Sequence, residues 1–138
     1  MARILIAEDE AALREFVSRA LSHRGHTVVA VEDGADAVNL LQKDKAFDLL
    51  LTDIVMPVMD GIALALKVSK DNPDIRILMM TGYAAERQRA HNLDMLIHDV
   101  ISKPFTLKEI CDKVDEALKG TAPGPVITTS DSGLKPKN

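Results

Sequence analysis

The chain has 138 residues, the size of one ordinary domain and enough to bury a single core. Its residues are 46% hydrophobic and 28% charged, with no apolar run near the ~20 residues that span a bilayer and no signal-peptide pattern. The net charge of -4 argues against a nucleic-acid-binding surface, which is normally basic. We therefore predict a soluble, intracellular and cytoplasmic protein that binds neither DNA nor membranes.

Apolar runs of strand length alternate with segments of helical period. The first run, residues 4–7, precedes a helix whose apolar residues recur at i, i+3, i+4, i+7 and i+8: Leu13, Phe16, Val17, Ala20 and Leu21. Gly25 is the predicted stop of that helix. A second strand is predicted over residues 26–31, and Asp33 is the predicted N-cap of a helix that reaches about Asp44. The side chains that this helix turns inward are Val38 and Leu41.

The same alternation continues in the second half of the chain. Residues 49–52 form the predicted third strand, and the next helix, near residues 62–70, stops at Asn72 because proline disfavours helical backbone in the residue before it. The fourth strand is predicted over residues 75–80. A polar helix from Ala84 to about Leu93 and a fifth strand near residues 99–102 follow.

The last helix begins with a capping box, in which Thr106 is the N-cap and Glu109 stands three residues later. Its apolar face comprises Leu107, Ile110, Cys111, Val114 and Leu118. Cys111 is the only cysteine, and its place on this face predicts a core residue rather than a nucleophile. Residues 1–120 are thus the predicted domain. The remainder, residues 121–138, is rich in Pro, Gly, Ser and Thr and is predicted to be a disordered tail, with a recognition signal or an added segment as alternatives.

This order of elements predicts an α/β fold with a doubly wound, five-stranded parallel sheet, because strands that are apolar on both faces need helices on both sides. Such folds place their sites outside the carboxyl ends of the strands. The polar residues that follow or end the predicted strands are Glu8, Asp9, Asp53, Thr81 and Lys103.

Each of these residues alone is a common turn, cap or surface residue. Together they indicate a cation site, because carboxylates ~4 Å apart repel each other by about 4 kcal/mol at an effective dielectric of ~20. Oxygen ligands with open coordination suit Mg²⁺, for which Glu8, Asp9 and Asp53 are the candidates. Zinc fits poorly, since one cysteine is present and the four histidines lack paired ligand spacing: His23, His26, His91 and His98.

A carboxylate beside Mg²⁺ and a lysine can also act as a nucleophile toward phosphorus and form an acyl phosphate. Phosphoryl transfer requires positioning and charge neutralisation, because the transition state spreads negative charge over three equatorial oxygens. Mg²⁺ would hold one of these oxygens, the Lys103 ammonium a second, and the Thr81 hydroxyl with nearby backbone N–H groups a third. The sequence therefore offers Asp53 as a candidate phosphoacceptor.

The segments "AEDE", "TDIVMPVMDG", "MTGYA" and "SKPF" occur in this order, and the chain over residues 2–119 resembles the receiver domain of bacterial two-component response regulators. This resemblance implies a flavodoxin/CheY-like sheet of strand order 2-1-3-4-5 and a cis Lys103-Pro104 bond. The site residues that it implies are Asp53 as phosphoacceptor, Glu8, Asp9 and the Val55 backbone carbonyl as Mg²⁺ ligands, Thr81 as switch hydroxyl and Lys103 as phosphate-binding lysine.

Two features depart from the family pattern. An aromatic residue is common three positions before the lysine, but Val100 stands there, and the nearest aromatic to Thr81 in sequence is Tyr83. Ordinary loop packing is the alternative interpretation of Tyr83. The segment "ERQRAHNLDMLIHD" lacks the Gly-Ala pair that is common in the family, and its charges are also those of a solvated helix face.

Within the family, the whole-chain pattern is similar to the CpdR group of single-domain regulators. That similarity implies phosphorylation by a histidine kinase or histidine phosphotransferase and a role as an adaptor of the ClpXP protease in cell-cycle control. We expect no effector domain in this chain, so its output is a switched protein interaction rather than enzymatic turnover. The alternatives are a phosphorelay shuttle and a haloacid-dehalogenase-like phosphatase, which Val55 disfavours because that class resembles Asp-x-Asp.

Overall fold

Strands and helices alternate throughout residues 1–119, which are the residues that the computed structural model describes. The strands are β1 Arg3–Ala7, β2 Thr27–Val31, β3 Leu49–Asp53, β4 Arg76–Thr81 and β5 Asp99–Ser102. The helices are α1 Ala11–His23, α2 Gly34–Lys43, α3 Gly61–Asp71, α4 Ala84–His91 and α5 Leu107–Lys119. The predicted tail, residues 121–138, lies outside the described residues. Among the described helices, none is long and apolar enough to cross a bilayer.

The five strands form one parallel sheet in the order β2-β1-β3-β4-β5, which confirms the predicted doubly wound architecture. Apolar side chains fill a layer on each face of the sheet. One layer packs α2, α3 and α4 against the strands, and the other packs α1 and α5. Every residue of the central strand β3 is buried, so both of its faces are covered as its continuous apolar run predicts.

Polar side chains satisfy the free backbone N–H groups at the start of several helices. The Asp33 side chain accepts a hydrogen bond from the Asp36 N–H at 2.9 Å, as predicted. The capping box of α5 also forms, since the Glu109 N–H donates to Thr106 Oγ1 at 3.1 Å and the Thr106 N–H donates to Glu109 Oε1 at 2.7 Å. Asp60 caps α3 through the Ala63 N–H at 2.8 Å, which the sequence interpretation did not identify.

The end of one helix and the exposure of two side chains differ from the predictions. Helix α4 ends at His91 rather than near Leu93, and the chain continues in turns to β5. Phe16 is 40% exposed and Leu107 is 51% exposed, although their spacing placed both on apolar faces. Phe16 lies at the margin of the apolar stripe of α1, whereas Leu107 is the first residue of α5, where the helix has just begun. Cys111 is buried as predicted.

Candidate functional site

Two neighbouring strands bring the acidic residues together. Glu8 and Asp9 follow β1 directly, and Asp53 is the last residue of β3. The strands are adjacent and parallel, with Ala7 paired to Thr52, so the next residues along the two strands, Glu8 and Asp53, lie side by side. The carboxylates of Glu8, Asp9 and Asp53 each offer an oxygen, and these oxygens lie within 4.8 Å of one another.

Two of these three carboxylates are removed from water. Glu8 is fully buried and Asp53 is 6% exposed, whereas Asp9 is exposed. Burial raises the pKa of Glu8 to about 7 and also raises the pKa of Asp53 above its ordinary value. Backbone N–H groups hold both in place, since Glu10 donates to Glu8 Oε2 at 3.0 Å and Ile54 donates to Asp53 Oδ1 at 2.8 Å. The result is a rigid acidic pair with one open side.

Lys103 is the counter-ion of the buried pair. Its Nζ lies 3.1 Å from Glu8 Oε1 and 3.1 Å from Asp53 Oδ2. Burial alone would lower the pKa of Lys103, but the negative charges of Asp53 and Glu8 outweigh this effect and raise it. The peptide bond between Lys103 and Pro104 is cis, as the resemblance implies. The lysine therefore remains an ammonium that faces both carboxylates.

Thr81 ends β4 beside this cluster and is 2% exposed. Its Oγ1 accepts a hydrogen bond from the Tyr83 N–H at 3.2 Å, and its backbone carbonyl accepts one from the Lys103 N–H at 2.8 Å. The hydroxyl is thus engaged with the loop between β4 and α4. Tyr83 itself is 65% exposed at the N-cap of α4, so the predicted loop packing of its side chain is not observed.

The loop from β3 to α3 returns closely to the end of β3. Val55 lies in this loop two residues after Asp53. The Gly61 N–H donates to the Ile54 carbonyl at 2.7 Å, and a Cβ at Gly61 would lie 2.1 Å from the Asp53 carbonyl oxygen. Only glycine fits that approach. This contact could not be predicted, since close approach of two backbone segments has no local sequence signature.

Backbone strain is concentrated at Val58, in the same loop. Its φ is 68°, a left-handed value that is unfavourable for a β-branched residue, and the Met59 N–H bonds back to the Pro57 carbonyl at 2.7 Å. The Val58 side chain is 83% exposed. Packing of that side chain therefore does not compensate for the conformation.

Arg14 was also not foreseen. Its Nη1 donates to the Glu8 carbonyl at 2.8 Å and thereby fixes the turn from β1 into α1. An arginine that holds a backbone carbonyl leaves no motif in the sequence. The remaining predicted site residues lie where the topology places strand ends, and together they present two buried carboxylates, one exposed carboxylate, an ammonium and a hydroxyl. Such a set can coordinate a divalent cation and can accept a phosphoryl group on a carboxylate.

Comparison with known families and proteins gives a consistent result. The response regulator receiver domain family matches residues 4–115. The response regulator receiver protein CpdR of Brucella abortus is 41% identical over 118 residues, which cover 86% of this chain and 98% of that protein. The response regulator MprA of Mycolicibacterium vanbaalenii is 31% identical over 140 residues, and this chain spans 60% of its length.

Solved structures show the same fold. The response regulator TrrA of Thermotoga maritima, solved in complex with Mg(2+)-BeF, has a TM-score of 0.77 and 27% identity, with 85% of this chain and 99% of that chain covered. The chemotaxis response regulator CheY4 of Vibrio cholerae has a TM-score of 0.77 and 26% identity, with coverages of 85% and 98%.

Proposed function

The chain belongs to the response regulator receiver family, and on that premise we propose that it is a single-domain response regulator that is phosphorylated on Asp53 in a histidine-to-aspartate phosphorelay. The observation that carries this proposal is the placement of one ammonium, Lys103 Nζ, at 3.1 Å from both Glu8 and the candidate acceptor. A structural buried ion pair needs one carboxylate. Two buried carboxylates and an adjacent exposed one instead form a site for additional positive charge and for phosphate.

In the proposed reaction, a carboxylate oxygen of Asp53 attacks the phosphorus of a phosphohistidine. The new O–P bond forms as the N–P bond breaks, and the imidazole leaves with the electron pair of that bond. Lys103 neutralises charge that develops on the phosphoryl oxygens, and the Thr81 hydroxyl can turn from the Tyr83 N–H to donate to one of them. The Ile54 N–H keeps the acceptor carboxylate oriented.

The donor set fits Mg²⁺, because three carboxylates from Glu8, Asp9 and Asp53 converge and one of them is exposed, so that water can complete the coordination. We propose these residues and the Val55 backbone carbonyl as the ligands. Bound Mg²⁺ supplies charge neutralisation for the transferred phosphoryl group.

As for the partners, we propose that a histidine kinase or histidine phosphotransferase supplies the phosphoryl group in the cytoplasm. The similarity to CpdR supports an adaptor role with the ClpXP protease in cell-cycle control. In this role the acyl phosphate stabilises one of two conformations, and the partner binds one of them more tightly. A phosphorelay shuttle that passes the group to another histidine protein is the alternative.

The acceptor assignment is tested by incubating the protein with acetyl phosphate and Mg²⁺ and measuring its intact mass. The wild type gains one phosphoryl group, and Asp53→Ala does not. Asp74→Ala is the matched control, because Asp74 is an exposed aspartate before the start of β4 and should label like the wild type. An unlabelled wild type, or equal labelling of Asp53→Ala, contradicts the proposal.

The partner proposal is tested separately with purified ClpX immobilised on resin. Captured amounts of wild type, with and without beryllofluoride, and of Asp53→Ala are compared. Capture that differs between the two states of the wild type but not of the variant supports a switched adaptor. Capture that is absent, or equal in every case, contradicts it, and rapid return of phosphate to a phosphotransfer domain would favour the shuttle.

A further inference from the structure

A closed ring of contacts links the candidate switch hydroxyl to the end of β5. The Tyr83 N–H donates to Thr81 Oγ1, and the Tyr83 carbonyl accepts the Arg87 N–H at 3.0 Å in the first turn of α4. The Arg87 guanidinium in turn donates to Ser102 Oγ. Ser102 is the register partner of Thr81 in the sheet and directly precedes Lys103. The ring therefore begins at one candidate site residue, Thr81, and ends next to another, Lys103.

Arg87 also borders two cavities. One, of about 270 Å³, lies beside the site and is lined by residues that include Thr81 and Lys103. The other, of about 480 Å³, is an open groove between β5 and α5 whose lining includes Phe105 and Lys113. Arg87 and Ser102 line both, so a movement of the Arg87 side chain would change the walls of both cavities.

Few other contacts fix the helix that carries Arg87. Its single buried residue is Ala90, and Tyr83 at its N-cap makes no side-chain cap hydrogen bond. Arg89 adds ion pairs with Glu86 and, at 3.6 Å, with Asp60. Because α4 buries little apolar area, a single hydrogen bond such as the one between Arg87 and Ser102 is a substantial part of the contacts that hold the helix in position.

We propose that Arg87 is a positioning residue whose hydrogen bond to Ser102 forms only while Asp53 is unphosphorylated, and that its release transmits phosphorylation to the groove between β5 and α5. When the Thr81 hydroxyl turns to the phosphoryl group, the Tyr83 N–H loses its acceptor, and the first turn of α4 moves with Tyr83. Arg87 is then carried away from Ser102. This inference rests on the proposed function, since it concerns how phosphorylation of Asp53 is transmitted.

The test uses beryllofluoride with Mg²⁺ as the probe of the phosphorylated state, and its affinity is measured by calorimetry on the full chain. A contact present only in the unmodified state opposes the modification, so Arg87→Met and Ser102→Ala should each bind the probe about threefold more tightly than the wild type. The double variant should bind no more tightly than the stronger single variant, because both changes remove the same contact.

Matched controls are available on other surfaces. Arg19→Met removes an exposed arginine of α1 that pairs with Glu15, and Ser69→Ala removes an exposed hydroxyl of α3. Both should keep wild-type affinity. Ser102→Thr retains the hydroxyl and should also keep it. Since Ser102 is exposed, its variants should fold even if the Arg87 variant does not.

The side-chain Nε–H signal of Arg87 in NMR spectra provides a readout that a purely structural role would not affect. In the wild type it should shift on addition of beryllofluoride, and in Ser102→Ala it should already lie near the shifted position. Wild-type affinity in both single variants, or additive effects in the double variant, overturns the inference and leaves the proposed function intact. A wild type that binds no beryllofluoride overturns the proposed function itself.

Discussion

Replacing Lys103 with methionine should destabilise the metal-free protein by an amount that depends on pH. The Nζ atom lies 3.1 Å from a carboxylate oxygen of Glu8 and of Asp53, so each attraction is ~5 kcal/mol at an effective dielectric of ~20. Desolvation of the three groups offsets most of this attraction. We expect a net loss of about 3 kcal/mol in the free energy of unfolding at about pH 8.

The loss should shrink toward acid. The pKa of Glu8 is about 7 in the native protein, and removal of the neighbouring ammonium raises it further. At about pH 5.5 Glu8 therefore binds a proton in both proteins, and the ammonium faces fewer charges, so the expected loss falls to about 1 kcal/mol. Urea titrations followed by circular dichroism, in the presence of a chelator, measure both values.

The matched control is Lys67→Met, which removes an exposed ion pair with Asp71 at 2.8 Å. It should change the free energy of unfolding little at either pH, because water screens exposed pairs. Equal losses at the two pH values for Lys103→Met, or a loss no larger than that of the control, would refute the description of Lys103 as counter-ion of a buried pair.

Three further predictions concern stability. Val58→Gly should raise the free energy of unfolding by about 1 kcal/mol, because glycine relieves the left-handed φ of 68° and the lost side chain is exposed; an unchanged or lower melting temperature would contradict this. Thr106→Ala should lower the free energy of unfolding by about 1 kcal/mol in urea titrations through loss of the α5 cap, whereas Thr106→Ser should nearly match the wild type; equal losses in both would argue against the cap. Without metal, the free energy of unfolding should fall as pH rises from ~4.5 to ~7, because Glu8, with a pKa of about 7 in the folded protein, binds more protons there than it does in the unfolded chain. Glu8→Gln should flatten this slope, and an unchanged slope would remove Glu8 as its cause.

The fold could be predicted from the sequence because its signals are periodic and redundant. The apolar run of β3 and the capping box of α5 each specify an element from adjacent residues. The close juxtaposition of Glu8, Asp53 and Lys103 also followed from sequence, because each stands at a strand end and parallel topology brings such ends to one edge.

Other features could not be predicted, because they depend on how separate segments meet. The contact of Arg87 with Ser102 joins a polar helix to an exposed strand end, and neither segment has a sequence pattern that predicts this contact. The left-handed backbone of Val58 contradicts its own local preference and is imposed by the surrounding loop. Phe16 is exposed because it lies at the margin of the apolar face of α1, and residue spacing alone does not show how much of that face the sheet covers.

The close approach of Gly61 to the end of β3 makes the two flanks of the site, the one beside α3 and the one beside α4, unequal in packing. On the α3 flank a methyl group at Gly61 would not fit against the Asp53 carbonyl, so this flank has little spare room for the bulk that the proposed phosphorylation of Asp53 would add. On the α4 flank a single buried alanine anchors the helix. We therefore expect a phosphoryl group on Asp53 to displace the α4 flank rather than the α3 flank. Substitutions that loosen Gly61 would dissipate that displacement even if phosphorylation itself were unimpaired.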